Sequence, residues 1–216
     1  VPQNPPQARQ HHRGRSAGSP EETLDRAGEV HLGVVPSAVR VPAGLVVLVG
    51  PPASGKTSFV RALVARRRIE PEAVVSSDEI RAELFGTSPE EATDARIFEE
   101  RDRRIVARLA AGHSAVAEST NVTPQARARL IAIARRFDAA VTMLRFDPDL
   151  SDLLQQHAER DRTDLGAADV RAYAAIMTRD ASADQLRSEG ATTVHDVPGR
   201  RQGITPDEAA AHFSFL

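Results

Sequence analysis

The chain has 216 residues, a formal net charge of −2 and no cysteine. That length buries one main domain, the near-neutral charge offers no general field for nucleic acid, and the missing thiols exclude disulfides and thiolate metal sites. Aromatic residues make up only 4% of the chain, too few for a platform on which several bases stack. No run approaches the length of a membrane span and the first thirty residues lack the apolar core of a signal peptide. The expectation is a cytoplasmic protein with no membrane partner.

Residues 1–20 are Pro, Gln, His, Arg, Gly and Ser without an apolar period, a composition that does not offset its ordering entropy. Ser19-Pro20-Glu21-Glu22 then has the form of a capping box with proline at the first helical position. Residues 1–40 are therefore expected as a disordered arm with one short helix ending near Gly28. After an extended stretch to Pro42, Leu45-Val46-Val47-Leu48-Val49 is a short apolar run that ends at Gly50. It reads as a buried parallel strand. Gly50-Pro51-Pro52-Ala53-Ser54-Gly55-Lys56-Thr57 fits G-x-x-x-x-G-K-[ST], a loop that turns its backbone N–H groups inward just where a helix begins with its positive end. A nucleoside triphosphate fits such a loop. Gly50, Ala53, Ser54, Gly55, Lys56, Thr57 and Ser58 are the expected nucleotide contacts, with Lys56 on the β- and γ-phosphates and the Thr57 hydroxyl on a magnesium ion. Lys56 is the one lysine of the chain, every other basic residue being arginine. A compact point charge is thus written only where phosphate chemistry needs it.

The following helix is predicted over residues 58–68, with Phe59, Leu63 and Val64 on its core face. Residues 73–77 form the second strand, and Asp78 opens a helix that stops at Phe85-Gly86. Ser88-Pro89-Glu90-Glu91 is a capping box for a long helix to about Ala111, ended by Gly112. Residues 113–117 are the third strand, Thr123-Pro124 caps the next helix, residues 139–146 are the fourth strand, and residues 148–158 are helical. A charged segment follows over residues 159–166, then helices over 167–178 and 184–189 and a last strand near 192–197. Thr205-Pro206-Asp207-Glu208 caps a terminal helical turn. The expected division is an arm over 1–40, a catalytic domain over 41–198 and a tail over 199–216.

Strands alternating with helices predict an α/β fold, a five-stranded parallel sheet covered on both faces, with every strand's carboxyl end on one rim. At that rim Asp78 sits where a strand becomes a helix, and Arg81 lies one turn on. A carboxylate there can take the proton of an incoming hydroxyl while the arginine holds an anionic group of the acceptor. The bland reading makes Asp78 a helix N-cap and Arg81 a solvated base. At the third strand's end, Glu118 is placed to hold magnesium through water, with Thr120 and Asn121 placed to position substrate or loop; a polar turn is the alternative. Arg160 and Arg162 lie in the charged segment, which can close as a helical lid and bring arginine to the charge that develops on transfer.

Over residues 45–197 the chain resembles the P-loop kinases related to the bacterial polynucleotide kinase domain of the RNA end-healing enzymes. The matching pieces are Gly50-Pro-Pro-Ala-Ser-Gly-Lys56-Thr57, then Ser76-Ser77-Asp78-Glu-Ile-Arg81, then Glu118-Ser-Thr-Asn121-Val, then Arg160-Asp-Arg162-Thr-Asp164, in that order. The resemblance implies a P-loop kinase fold and transfer of the γ-phosphate of ATP, with Mg2+, to the 5′-hydroxyl end of a nucleic acid. It gives Asp78 the role of general base and Arg81 that of contacting the acceptor's phosphate. The chain departs from the pattern at Glu118, where relatives commonly have aspartate, and at Ala158 and Leu165, where relatives can carry arginine.

A small-molecule kinase acting on a nucleoside, sugar or antibiotic hydroxyl shares the loop, the aspartate and the lid. A nucleotide-gated switch needs a second lysine for its base-reading motif, and no strand ends in the Asp-Glu of a motor. A non-catalytic nucleotide-binding module is the third alternative.

Overall fold

A computed structural model describes residues 38–86, 93–159 and 165–216, all within one unit, Pro36–Leu216. The arm and its short helix lie outside the described residues. So do the capping box at residues 88–91 and the lid arginines Arg160 and Arg162.

The chain order is β1 (Val39–Val41), β2 (Gly44–Val49), α1 (Lys56–Ala65), β3 (Val74–Ser76), α2 (Ser77–Phe85), α3 (Asp94–Ala110), β4 (Ala115–Glu118) and α4 (Pro124–Arg135). It continues with β5 (Ala140–Arg145), α5 (Leu150–Ala158), α6 (Ala167–Asp180), α7 (Ala183–Glu189), β6 (Thr193–Asp196), α8 (Pro206–Ala211) and β7 (Phe213–Phe215). The main sheet is parallel and five-stranded, in the order β3-β4-β2-β5-β6. The α/β architecture expected from the alternation is the one observed. No helix among the described residues is long and apolar enough to cross a membrane.

β2 explains why the sheet needs cover on both sides. All six of its residues are buried, and alternate side chains leave opposite faces of a strand. Leu45, Val47 and Val49 join one core with residues of α2, α3, α4, α6 and α7. Val46 and Leu48 join a second core with Phe59, Val60 and Leu63 of α1. The buried face of α1 is therefore Phe59-Val60-Leu63, with Val64 only partly covered. α1 also starts earlier than its sequence predicts, placing Lys56 and Thr57 in its first turn.

The second core corrects the expectation of a C-terminal tail. Ala209 and Ala210 of α8 and Phe213 of β7 are buried in it, and the Phe213 ring meets Phe59 edge-on at 5.5 Å. β7 pairs in parallel with β1, Val39 opposite Phe213. The segment before residue 42 and the segment after residue 198 thus close the sheet's second face together, which explains why the apolar side chains of so short a run are not exposed.

Candidate active site

The phosphate loop lies between β2 and α1. Gly50 has no room for a side chain, because a Cβ there would stand 2.8 Å from the Cβ of Phe146 and 2.9 Å from its carbonyl oxygen. Ala53 (φ 64°) and Gly55 (φ 93°) both adopt the left-handed region. For alanine that conformation costs on the order of 1–2 kcal/mol, and it is what bends the backbone N–H groups into a concave, anion-binding turn. Among the described residues no side chain caps α1, so its first N–H groups face the loop. Lys56 is buried inside this ring rather than in the apolar core. Its ammonium donates to the carbonyls of Gly50 (2.8 Å) and Pro51 (2.7 Å) and to the Ser54 hydroxyl (3.2 Å), which fixes a compact positive charge at the loop's mouth.

The end of β4 closes the other wall. The Thr57 hydroxyl donates to the Glu118 carboxylate at 2.6 Å, and Glu118 is only 7% exposed. A hydroxyl and a carboxylate oxygen side by side are the hard oxygen donors a magnesium ion takes, the rest of its shell being phosphate and water. The residues present fit that ion. The Thr120 carbonyl accepts the Gly50 N–H at 2.9 Å, so the two rims are tied through the backbone. Asn121 is not among the residues that line the pocket. It is 2% exposed, has a φ of 46°, and its amide donates to the carbonyls of Leu48 (2.9 Å) and Ala117 (3.4 Å). The left-handed backbone turns the side chain back into the sheet, where it joins β2 to β4.

Ser76, not Asp78, caps α2. Its hydroxyl accepts the Glu79 N–H, leaving the Asp78 carboxylate to line the same small polar pocket as Lys56, Thr57, Glu118 and Thr120, with a volume of about 100 Å³. The structure therefore brings together Gly55, Lys56, Thr57, Asp78, Glu118 and Thr120. Arg81 is not among that pocket's lining; it donates to Asp94 of α3 at 2.9 Å and is half exposed. Leu165, at the far end of the charged segment, reaches the pocket wall.

A larger cleft of about 400 Å³ opens on the other side of the loop and shares Ser54 and Gly55 with the first. Ser58, Phe146 and Asp147 line its floor, and residues 196–202 with Ile204 line its wall. Arg145 is held between Asp196 (2.6 Å) and Asp147 (3.1 Å), and the Asp196 contact raises its already high pKa further. Arg200 pairs with Glu159 at 3.0 Å and Arg201 with Asp149 at 3.4 Å, spanning from the wall to α5. The Arg200 contact holds the Glu159 carboxyl below the usual carboxylate range. Asp147 lies just beyond the carboxyl end of β5. The wall was not legible in the sequence, because its residues lie at and beyond the end of β6 and carry no motif.

Residues 45–186 match the family model described as AAA domain, AAA_33. No curated protein matches the chain in sequence. Among solved structures, the Pnkp1/Rnl/Hen1 RNA repair complex is similar over 68% of this chain at 18% identity, with a TM-score of 0.53. The chain spans 46% of that protein's length. A sugar kinase from Janibacter sp., solved without ligand, is similar over 79% of this chain and 91% of its own, at 18% identity and a TM-score of 0.53. What these likenesses share with the chain is the fold, that of the P-loop kinases.

Proposed function

The chain belongs to the AAA domain family and has a P-loop kinase fold, and on that footing we propose that it transfers the γ-phosphate of ATP to a hydroxyl, that of a nucleic-acid 5′ end. The observation that carries the reading is one small polar pocket lined by Lys56, Thr57, Asp78 and Glu118, the charges that phosphoryl transfer requires within a few ångströms of one another.

The Asp78 carboxylate takes the proton of the acceptor hydroxyl as its oxygen bonds to the γ-phosphorus. The bond from that phosphorus to the bridging oxygen breaks, and the electron pair leaves with the β-phosphate of ADP. Lys56 and the N–H groups at the start of α1 receive the charge that accumulates there. Thr57 and, through water, Glu118 would hold a magnesium ion bound with the nucleotide, which would neutralise the phosphate oxygens. The larger cleft adjoins the loop at Ser54 and Gly55 and is the seat for the nucleoside end of ATP. Arg81 serves the acceptor's own phosphate, and Arg160 and Arg162 serve the transferring phosphate from the lid.

A second reading, a small-molecule kinase, is favoured by the Arg81–Asp94 ion pair, which already compensates the charge that would greet an acceptor phosphate. One assay separates the two. Label from γ-labelled ATP is followed onto a 5′-hydroxyl oligonucleotide, a nucleoside, a sugar and water. Transfer to the oligonucleotide is expected. Transfer to a nucleoside or sugar alone replaces the acceptor, release to water alone replaces the kinase reading, and no release with tight ATP binding leaves a binding module.

A further inference from the structure

Arg127 was not singled out by any motif, yet its guanidinium is the most completely satisfied polar group around the site. It sits on the first turns of α4 and is 0% exposed. A guanidinium has five N–H donors in a fixed fork, and here each has an acceptor. Nε donates to Glu189 Oε2 (2.6 Å), Nη1 to the carbonyls of Asn121 (3.0 Å) and Val122 (2.7 Å), and Nη2 to the Asp180 carbonyl (2.6 Å) and to Glu189 Oε1 (2.7 Å). A buried cation is costly to desolvate, and an apolar side chain would fill the same space more cheaply. What the arginine adds is the placement of particular backbone atoms.

Those atoms belong to the segment that forms the pocket wall. Asn121 is held at positive φ, its Oδ1 is buried without a hydrogen-bond partner, and a strained residue of this kind persists only where its surroundings over-determine it. Arg127 grips the carbonyl of Asn121 and the next one along. One residue earlier, the Thr120 carbonyl holds the Gly50 N–H, and two residues before that, Glu118 holds the Thr57 hydroxyl. The far side of the guanidinium is anchored on the last residues of α6 and α7, Asp180 and Glu189.

We propose that Arg127 is a positioning residue of the phosphate site: anchored on the ends of α6 and α7, it sets the strained segment 118–122 and through it the placement of Gly50 and Thr57. The role in transfer rests on the kinase reading; the mechanical link to Gly50 does not.

The test is amide exchange on the nucleotide-free protein, followed by nucleotide affinity with magnesium. In Arg127→Lys three N–H donors replace five and the fork is lost. The expected result is exchange about tenfold faster at Gly50 and over residues 118–122, with the amides of β5 unchanged, and about tenfold weaker affinity for magnesium–ATP. Uniform acceleration of all core amides overturns the proposal in favour of a general structural pin. Acceleration at 118–122 with Gly50 unchanged overturns the link, and altered exchange with unaltered affinity overturns the role at the site. If Arg127→Lys does not fold, Glu189→Gln carries the same readout, since it leaves all five arginine donors in place and takes from their anchor its charge and one of its two acceptor oxygens. Should the wild type bind no nucleotide, the kinase reading fails and the exchange result alone judges the link.

Discussion

The two depressions that share Ser54 and Gly55 are built in opposite ways. The phosphate side is small, polar and tightly bonded: Lys56 on loop carbonyls, Thr57 on Glu118, Gly50 on Thr120. The cleft side is four times the volume, has Phe146 in its floor and is spanned by exposed ion pairs, contacts that contribute about 0–1 kcal/mol each. Groups that stabilise developing charge must already be in place when it develops. A cleft that only holds the remainder of a nucleotide tolerates a softer wall. The comparison also separates ranges in the chain, since the phosphate side comes, apart from Leu165, from residues near one loop and two neighbouring strand ends. The cleft joins residue 54 to residue 209.

The largest expected effect breaks the cleft side without touching the chemistry. Phe213→Ala removes a ring packed on Phe59 and nearly devoid of solvent contact, so unfolding free energy should fall by about 3–5 kcal/mol. Melting close to wild type would mean that residues after 198 are the tail the sequence suggested. Lys56→Ala acts on the other side. Turnover should fall by roughly 10²–10³-fold, the cost of removing one preorganised charge stabiliser, while the melting temperature stays near that of wild type; a variant keeping a tenth of the rate refutes the phosphate-loop assignment.

A paired substitution sharpens the comparison within α2. Asp78→Asn should lower transfer at least about a hundredfold with stability nearly unchanged. Ser76→Ala should do the reverse, losing about 1 kcal/mol of stability with transfer per folded molecule retained. Loss of stability in the first and of turnover in the second would return Asp78 to the role of a cap and move the base to Glu118. The smallest effect is a pH dependence on the cleft's side of the sheet. Burial, and then the charge of Arg187, push His195 below its ordinary value, and its Nε2 is buried without a partner. The folded protein therefore favours neutral His195, and stability should decline as pH falls below the unfolded value of about 6.5 through the lower folded one. Thermal melts between pH 8 and 5 should show this limb, and His195→Gln should flatten it.

Much of the site could be read because its cause is local. An apolar run ending in Gly-x-x-x-x-Gly-Lys-Thr specifies strand, turn and helix start within thirteen residues, and the ends of three further strands mark the rim because parallel crossovers leave no other side for them. The same reasoning left Asn121 open. Residue type and position suggested a contact to substrate or to the loop; a positive φ goes with a side chain bonded to the Leu48 and Ala117 carbonyls, and no pattern in the sequence announces that angle. For Arg81 the sequence placed the residue one turn after Asp78 but not its partner Asp94, which lies on another helix.

By itself, then, the sequence determined the alternating fold, the phosphate loop and the placing of Glu118 on the same rim, all consequences of short-range periodicity and of the one-sided geometry of parallel sheets. Only the tertiary structure decided that Ser76 takes the cap and leaves Asp78 to the pocket, that the last residues return to pair with β1 and wall the cleft, and that Arg127 ties two distant helix ends to the phosphate rim. Each of those depends on a contact between residues far apart in the chain or on the direction of a single side chain, and neither leaves a period or a spacing to be read.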